Sequence, residues 1–364
     1  MSLLPSRRSF FITVLLALCS VVVSGQAKLT DHEIAARYAP VFYQALSEKP
    51  RNDYVTNFDF DGDWRGDNNW VNTDDKRFAM KAYVYYSVSQ TATHYFIHYA
   101  VFHPRDTKGG EKTGRTLSEL LRKGAEAVGT NDPSGLLDKI TVAHENDMEG
   151  CLVVVAKDAS DRTVYLETVA HNFFPRYSNS EKRASGVSEL RLEDERPRLY
   201  IEPRGHGISA YTDSEESPSR SKFIVYRYEA KAEDPEKKTD GPVAYDLLPI
   251  SSTLWPKAVG LTVKKGPTYG DSKDYAPFSV TIGKIARQID LGGLGSAFMG
   301  KEGGINMARP PWGWFDLNHR DDPAGIWFFD PAKIVKRDFG LGKEFSTVYT
   351  TTPFWATAKK TTKP

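Results

Sequence analysis

Cysteine is almost missing from this chain, with only Cys19 and Cys151 among 364 residues. Cys19 lies in an N-terminal apolar run expected to be cleaved, which leaves one thiol and excludes an intramolecular disulfide. Cys151 heads an apolar stretch and therefore reads as a small buried hydrophobe. An excess of either charge is also missing: 48 Lys and Arg face 47 Asp and Glu, for a net +1. Removing the leader takes Arg7 and Arg8 and no acid, so +1 minus 2 gives −1. That balance offers nothing to nucleic acid. After the leader no apolar run reaches the ~20 residues of a spanning helix, so no transmembrane segment is expected in the mature chain.

Aromatic and apolar residues are plentiful, 12% and 40%, enough to bury a large core. Residues 1–25 read as a signal peptide, with Arg7-Arg8, the apolar run Phe10 to Val23, and small residues at Ser24 and Gly25. Ser6-Arg7-Arg8-Ser9-Phe10-Phe11 resembles a twin-arginine signal, so the protein is expected to be secreted or periplasmic. Thr30 and Glu33 form a capping box that opens a short helix, which must stop before Pro40.

Met80 to Val88 and Thr93 to Phe102 alternate Tyr, Val, Phe and Ile and read as an antiparallel pair. Pro104 should end the ladder of the second strand, since it lacks an N–H. Leu117, Leu120, Leu121 and Val128 form the stripe of an inserted helix near 116–128. Short runs at 163–170, 198–202, 222–228 and 243–248 are separated by charged loops, which favours a sandwich over alternating helix and strand. The expected fold is mainly β: an antiparallel β-sandwich with short helices and a Gly/Pro/Trp-rich C-terminal extension. Its core spans 26–252 and the extension 253–364.

Three polar features stand out. In His144-Glu-Asn-Asp147-Met-Glu149, strand alternation puts Asp147 and Glu149 on one face, with His144 close enough to swing beside them. An imidazole with two carboxylates suits a divalent cation or general acid/base chemistry. Asp59, Asp61, Asp63 and Asp67, with Gly62 at the bend, resemble the calcium loops of integrin-type propeller repeats and make a possible second metal site. Trp312 and Trp314, in Pro310-Pro-Trp-Gly-Trp-Phe-Asp316, are either packing or an aromatic platform for a sugar or lipid headgroup. His94 and His98, four strand residues and ~13 Å apart, cannot share one metal and read as structural.

Tyr99-Ala-Val-Phe-His-Pro-Arg-Asp106, followed by His144-x-x-Asp147-x-Glu149 and an apolar strand, resembles the necrosis- and ethylene-inducing peptide-like proteins. It also resembles a related family named after a fungal vacuolar protein-sorting protein, with Tyr200 to Gly207 looking like the latter's Gly/Ser-His segment. The likeness covers about residues 83–211. It implies a cytolysin-like β-sandwich and a divalent cation held by Asp106, His144, Asp147 and Glu149, used to engage membrane sphingolipid sugars. The heptapeptide's Gly, second His and Trp are not kept here, nor are the disulfide cysteines, so plant-toxin activity does not follow. Clustering three carboxylates with one imidazole is costly unless a cation neutralises them, and oxygen-rich ligands favour Ca²⁺, Mg²⁺ or Mn²⁺. The leading expectation is a secreted, metal-dependent protein that binds a glycan or membrane lipid headgroup, without bond cleavage. The competing one is a metal-dependent hydrolase of phosphoesters or glycosides with His171 or His206 as acid/base.

Overall fold

The Tyr-, Val- and Phe-rich stretches pair first. Strands β3 (His94–Asp106) and β4 (His144–Ala156) form an antiparallel ladder running from His94 opposite Ala156 to Asp106 opposite His144. The ladder does not end at Pro104, contrary to the sequence expectation. Pro104 falls opposite Asn146, which adopts the left-handed φ of 59°, and pairing resumes beyond it with Arg105 opposite Glu145. One missing N–H is tolerated because register pairs flank it on both sides. In this computed structural model, residues 29–114, 143–212, 223–258, 269–275, 278–282, 285–289, 292–302 and 308–354 are described, with 116, 117, 120 and 123. The leader over 1–25 and most of the helix expected near 116–128 lie outside the described residues.

Among the described residues thirteen further strands join the central pair in one sheet, and ten of them make its main run and one branch. They are β1 (Val41–Ala45), β2 (Tyr83–Thr91), β5 (Thr163–Thr168), β6 (Arg176–Ser178), β7 (Val187–Glu189), β8 (Leu192–Glu193), β9 (Arg196–Ile201), β10 (Ile208–Ala210), β11 (Phe223–Tyr228) and β12 (Val243–Pro249). The order is β10-β9-β1-β11-β12-β2-β3-β4-β5-β6-β7, with β8 branching from β9. This sheet is mixed, which corrects the expected antiparallel sandwich. β1 runs parallel to β9, β11 to β12, β12 to β2 and β6 to β7. The cause is topological: β1 inserts between strands far along the chain, so the hairpin geometry that enforces antiparallel pairing does not apply. The sheet also curls into a half-barrel, since the Ile208 N–H of edge strand β10 donates to the Val169 carbonyl just past β5.

Strands β2, β3 and β4 are buried on both faces, and period-two alternation sorts their side chains between them. Inside the curl lie Val84, Tyr86, Ile97, Tyr99, Val101, Cys151, Val153 and Leu199. Burial there raises the Cys151 thiol, which is free and fits the reading as a small hydrophobe. On the outer face Phe96, Phe102, Met148 and Leu152 meet Trp255, Trp312, Trp314, Trp327 and Phe328.

Trp312 and Trp314 are therefore not a surface platform. Both are buried, and their Nε1–H groups donate to the Gly295 carbonyl at 2.7 Å and the Met148 carbonyl at 3.0 Å. Each removes a large apolar ring from water, worth ~1.5–3 kcal/mol. Gly150 makes the closest approach possible: a Cβ there would lie 2.2 Å from the Tyr99 carbonyl oxygen and 2.6 Å from the Trp314 ring. Gly150→Ala is expected to lower stability by roughly 3 kcal/mol, the upper end of overpacking costs. Urea denaturation checks this, and an unchanged midpoint would refute the packing argument.

Candidate metal and headgroup site

The site forms where the β3–β4 ladder leaves the apolar interior. Cross-strand partners share a face, so Val101 opposite Glu149 and His103 opposite Asp147 carry the inner face outward to a polar mouth. The left-handed Asn146 then resets the alternation. Glu145 turns away and accepts the N–H groups of Trp70 and Lys301, each at 2.6 Å. The Asn146 amide bonds the Gly66 and Met299 carbonyls and Asn69, tying the 57–72 loop to the strand. His144 comes to lie against Asp106 instead, Nε2 to Oδ2 3.6 Å.

The proton positions at His144 follow from its partners. Nδ1 sits 2.9 Å from the Asn146 carbonyl, which can only accept, so Nδ1 carries the hydrogen. In the neutral ring Nε2 is then a lone pair facing a carboxylate. Asp106 accepts the Lys108 N–H at 2.6 Å, and burial, with Asp147 nearby, raises its carboxyl. Burial likewise pushes Glu149 up to about 8, with the Asp147 charge adding to it. Glu149 accepts the His171 N–H at 3.0 Å from a turn in which His171 and Asn172 both have positive φ.

Behind this set lies a buried cation. His206 is fully enclosed, its Nδ1 2.8 Å from Asp147 and its Nε2 3.4 Å from Asp53. Burial alone would lower the imidazole, but the hydrogen bond to Asp147 and the Asp53 carboxylate close to Nε2, which is not aligned as a hydrogen bond, outweigh it and carry His206 up to about 10. Asp147 stays low because these contacts overcome its own desolvation. Asp53 is fixed in turn by the N–H groups of Ser47 and Arg204, both at 2.7 Å. The His206 ring stacks on His103 at 3.7 Å with 5° between planes, and His103 Nε2 meets the Gln44 side-chain oxygen at 3.0 Å. Burial, with the His206 charge, lowers His103 well below its ordinary value.

Ligand atoms of His103, Asp147 and His206 lie within 4.8 Å of one another, so this buried group could hold a metal ion. Stacked rings keep their lone pairs in two separate parallel planes, however, and both His206 nitrogens already face carboxylates. A cation shared by all three needs one ring to turn. In the arrangement seen, His206 orients Asp147 from behind, as an outer partner does for a ligating carboxylate.

His171 occupies the outer rim, with Lys108 Nζ 2.8 Å from its Nε2 and Glu202 against the same nitrogen. Burial lowers His171, but Glu202 and Glu149 more than reverse this and raise it. Glu202 overcomes its own desolvation through His171 and Lys108 and falls to about 2. Of the two histidines considered for acid/base chemistry, His206 is sealed from solvent and only His171 borders it.

The acidic loop is taken up by itself. Asp59 accepts from Asn57, Asp61 from Asn72 at 2.6 Å, Asp63 from Asn68 at 3.0 Å, and Asp67 pairs with Arg65 at 2.9 Å. Among the described residues neither Asp59, Asp61, Asp63 and Asp67 nor Asp106, His144, Asp147 and Glu149 bring three ligand atoms as close together as His103, Asp147 and His206 do. Sequence reasoning missed Asp53, Gln44 and Glu202 and gave His103 no role. The first three lie on segments remote from His144, and only the fold joins them.

No protein-family model matches this chain, and no curated protein does. Among solved structures, NLPPya in complex with mannosamine is 16% identical, covering 62% of this chain and 87% of its own, with TM-score 0.28. NLPPya in complex with glucosamine is 16% identical, covering 49% and 66%, with TM-score 0.25. Necrosis and Ethylene inducing Protein 2, from the causal agent of cocoa's Witches Broom disease, is 15% identical, covering 45% and 50%, with TM-score 0.21. The chain spans half the length of another NLPPya structure. These are the neighbours the sequence resemblance named, at scores that carry no argument about the site. The vacuolar-sorting resemblance finds no support among them.

Removing His206 leaves Asp53 and Asp147 buried without their shared counter-charge. His206→Gln is expected to cost about 3–5 kcal/mol in chelator-treated protein, by denaturant unfolding. Adding Asp53→Asn to that variant should then cost little more, because the pair is already broken. Full additivity in this cycle would show that the two residues do not act together.

Proposed function

We propose that this is an exported protein that uses a divalent cation to bind glycan or glycolipid headgroups, in the manner of a cytolysin that recognises a membrane surface. The observation that carries the reading is His144 Nε2 held 3.6 Å from Asp106 Oδ2 while Nδ1 is tied to the Asn146 carbonyl, with Asp147 and Glu149 on the same mouth. A lone pair facing a carboxylate is repulsive by itself and becomes favourable once a cation lies between them. Asp106, His144, Asp147 and Glu149 would hold that ion, with His206 steadying Asp147 and the His171 N–H steadying Glu149. Oxygen-rich donors fit Ca²⁺, Mg²⁺ or Mn²⁺. The bound cation would supply open positions where vicinal sugar hydroxyls replace water.

The complexes of NLPPya with mannosamine and glucosamine make amino sugars the first probe. Hydrolysis is the weaker reading, because His206 is enclosed and His171 is engaged by Glu202.

Metal analysis and calorimetry on chelated, then reloaded full-length protein test the site. One divalent ion per chain is expected, with Asp147→Asn or Glu149→Gln weakening its binding at least about tenfold, or about 1.4 kcal/mol. Binding to amino sugars and to glycolipid vesicles should disappear with chelator and return with the ion. Equal headgroup binding with and without the ion would defeat the proposal.

A further inference from the structure

A row of side chains crosses the outer face of the sheet, with His98 opposite Leu152, Leu152 opposite Glu167, and Glu167 opposite Arg176. Trp327 lies across this row and is gripped at both ends. Its Nε1–H donates to Glu167 Oε2 at 2.7 Å, and its carbonyl faces His98 Nε2 at 3.2 Å. Burial holds His98 neutral, down to about 3, so no positive charge reaches Glu167 from that side.

Around Glu167 the acids outnumber the bases. Arg176 is shared among Glu167 at 3.3 Å, Asp338 at 3.1 Å and Asp316 at 3.4 Å. Arg337 lies between Asp338 and Asp322, and His319 pairs with Asp316 at 2.9 Å. Four carboxylates thus divide two guanidinium groups and one imidazole. Glu167 Oε1 and Arg176 Nε are buried yet make no hydrogen bond, so their contact is poorly aligned. Asp338 also ends the helix Pro331–Asp338, where the helix dipole disfavours a negative charge.

A buried acid cluster in this position relieves its repulsion by keeping a proton. We propose that one proton held between Glu167 and Asp338 latches the aromatic cover, residues 310–339, onto β5 and β6, and that losing it as pH rises loosens the cover. Burial, with the Asp338 charge beside it, pushes Glu167 up to about 8. In an opened cover Glu167 regains its ordinary value of 4.5. The closed form therefore binds more protons between these two values, and its advantage declines across that window as pH rises. The cover also touches the candidate site from behind: the Leu317 N–H donates to the Asn172 carbonyl at 2.9 Å, beside His171.

Hydrogen exchange of the full chain, read by peptide and corrected for intrinsic rates, tests the latch between about pH 5 and about pH 8.5. Peptides within 316–338 should lose at least about tenfold protection, while peptides of β1 and β9, which carry no carboxyl, lose none. Glu167→Gln, which keeps an acceptor for Trp327, should show no such pH dependence, and Asp338→Asn should weaken it. If Glu167→Gln does not fold, the wild-type profile and Asp338→Asn still decide. PH-independent protection in the wild type, or a wild-type profile in the variants, overturns the latch.

Discussion

The continuous β3–β4 ladder is the constraint on which the rest depends, because it serves as the wall of two cores and the base of the site. Along its first part, Ile97, Tyr99, Val153 and Cys151 fill the curl while Phe96, Leu152 and Val154 face the aromatic cover. A strand buried on both faces has no solvent side on which to place polar groups. The carboxylates of both strands accordingly lie at one end, past Gly150. Ending the pairing at Pro104 would have detached Asp106 from His144 and dissolved the site's geometry. Flanking pairs and the side-chain bonds of left-handed Asn146 keep the two strand ends together.

Much of this was legible along the chain, for a definite reason. Alternation is local, so the face shared by Asp147 and Glu149 and the antiparallel pairing of β2 with β3 follow from sequence alone. Asp106 stands opposite His144 at the end of the β3–β4 ladder. Asp53 and Gln44 could not be found that way, since no local rule links an acid at position 53 to a histidine at 206. The same limit explains the sheet: strand order among β1, β9, β11 and β12 depends on contacts distant in sequence. Trp312 and Trp314 misled as a platform because an aromatic-rich stretch looks alike whether it covers a sheet or faces water, and burial separates the two. The acidic loop has the spacing of a cation loop, yet Asn57, Asn68, Asn72 and Arg65 supply the donors its carboxylates need.

Buried carboxylates pose the same electrostatic problem at two places on this sheet, and the neighbours decide how it is solved. At the mouth, His206 lies between Asp147 and Asp53 with a nitrogen toward each, so both acids stay ionised around a permanent internal cation. That arrangement leaves Asp106 and Glu149 as the acids still short of positive charge, both raised by burial. Behind the aromatic cover, Arg176 is divided among three carboxylates and meets one of them without a hydrogen bond.

The difference lies in access. Glu149 is joined through His171 to Lys108 and Glu202 at a rim that solvent reaches, so an ion from solution can supply the missing charge there. Glu167 is buried under Trp327, and the cavity of about 20 Å³ beside Asp316 and Asp338 admits a water or a proton but not a hydrated ion. Desolvation raises a carboxyl in either setting, and what it then takes up depends on the size of the opening beside it. On that argument the two acid clusters differ in kind: one is built to accept a ligand, the other to hold its own chain in place.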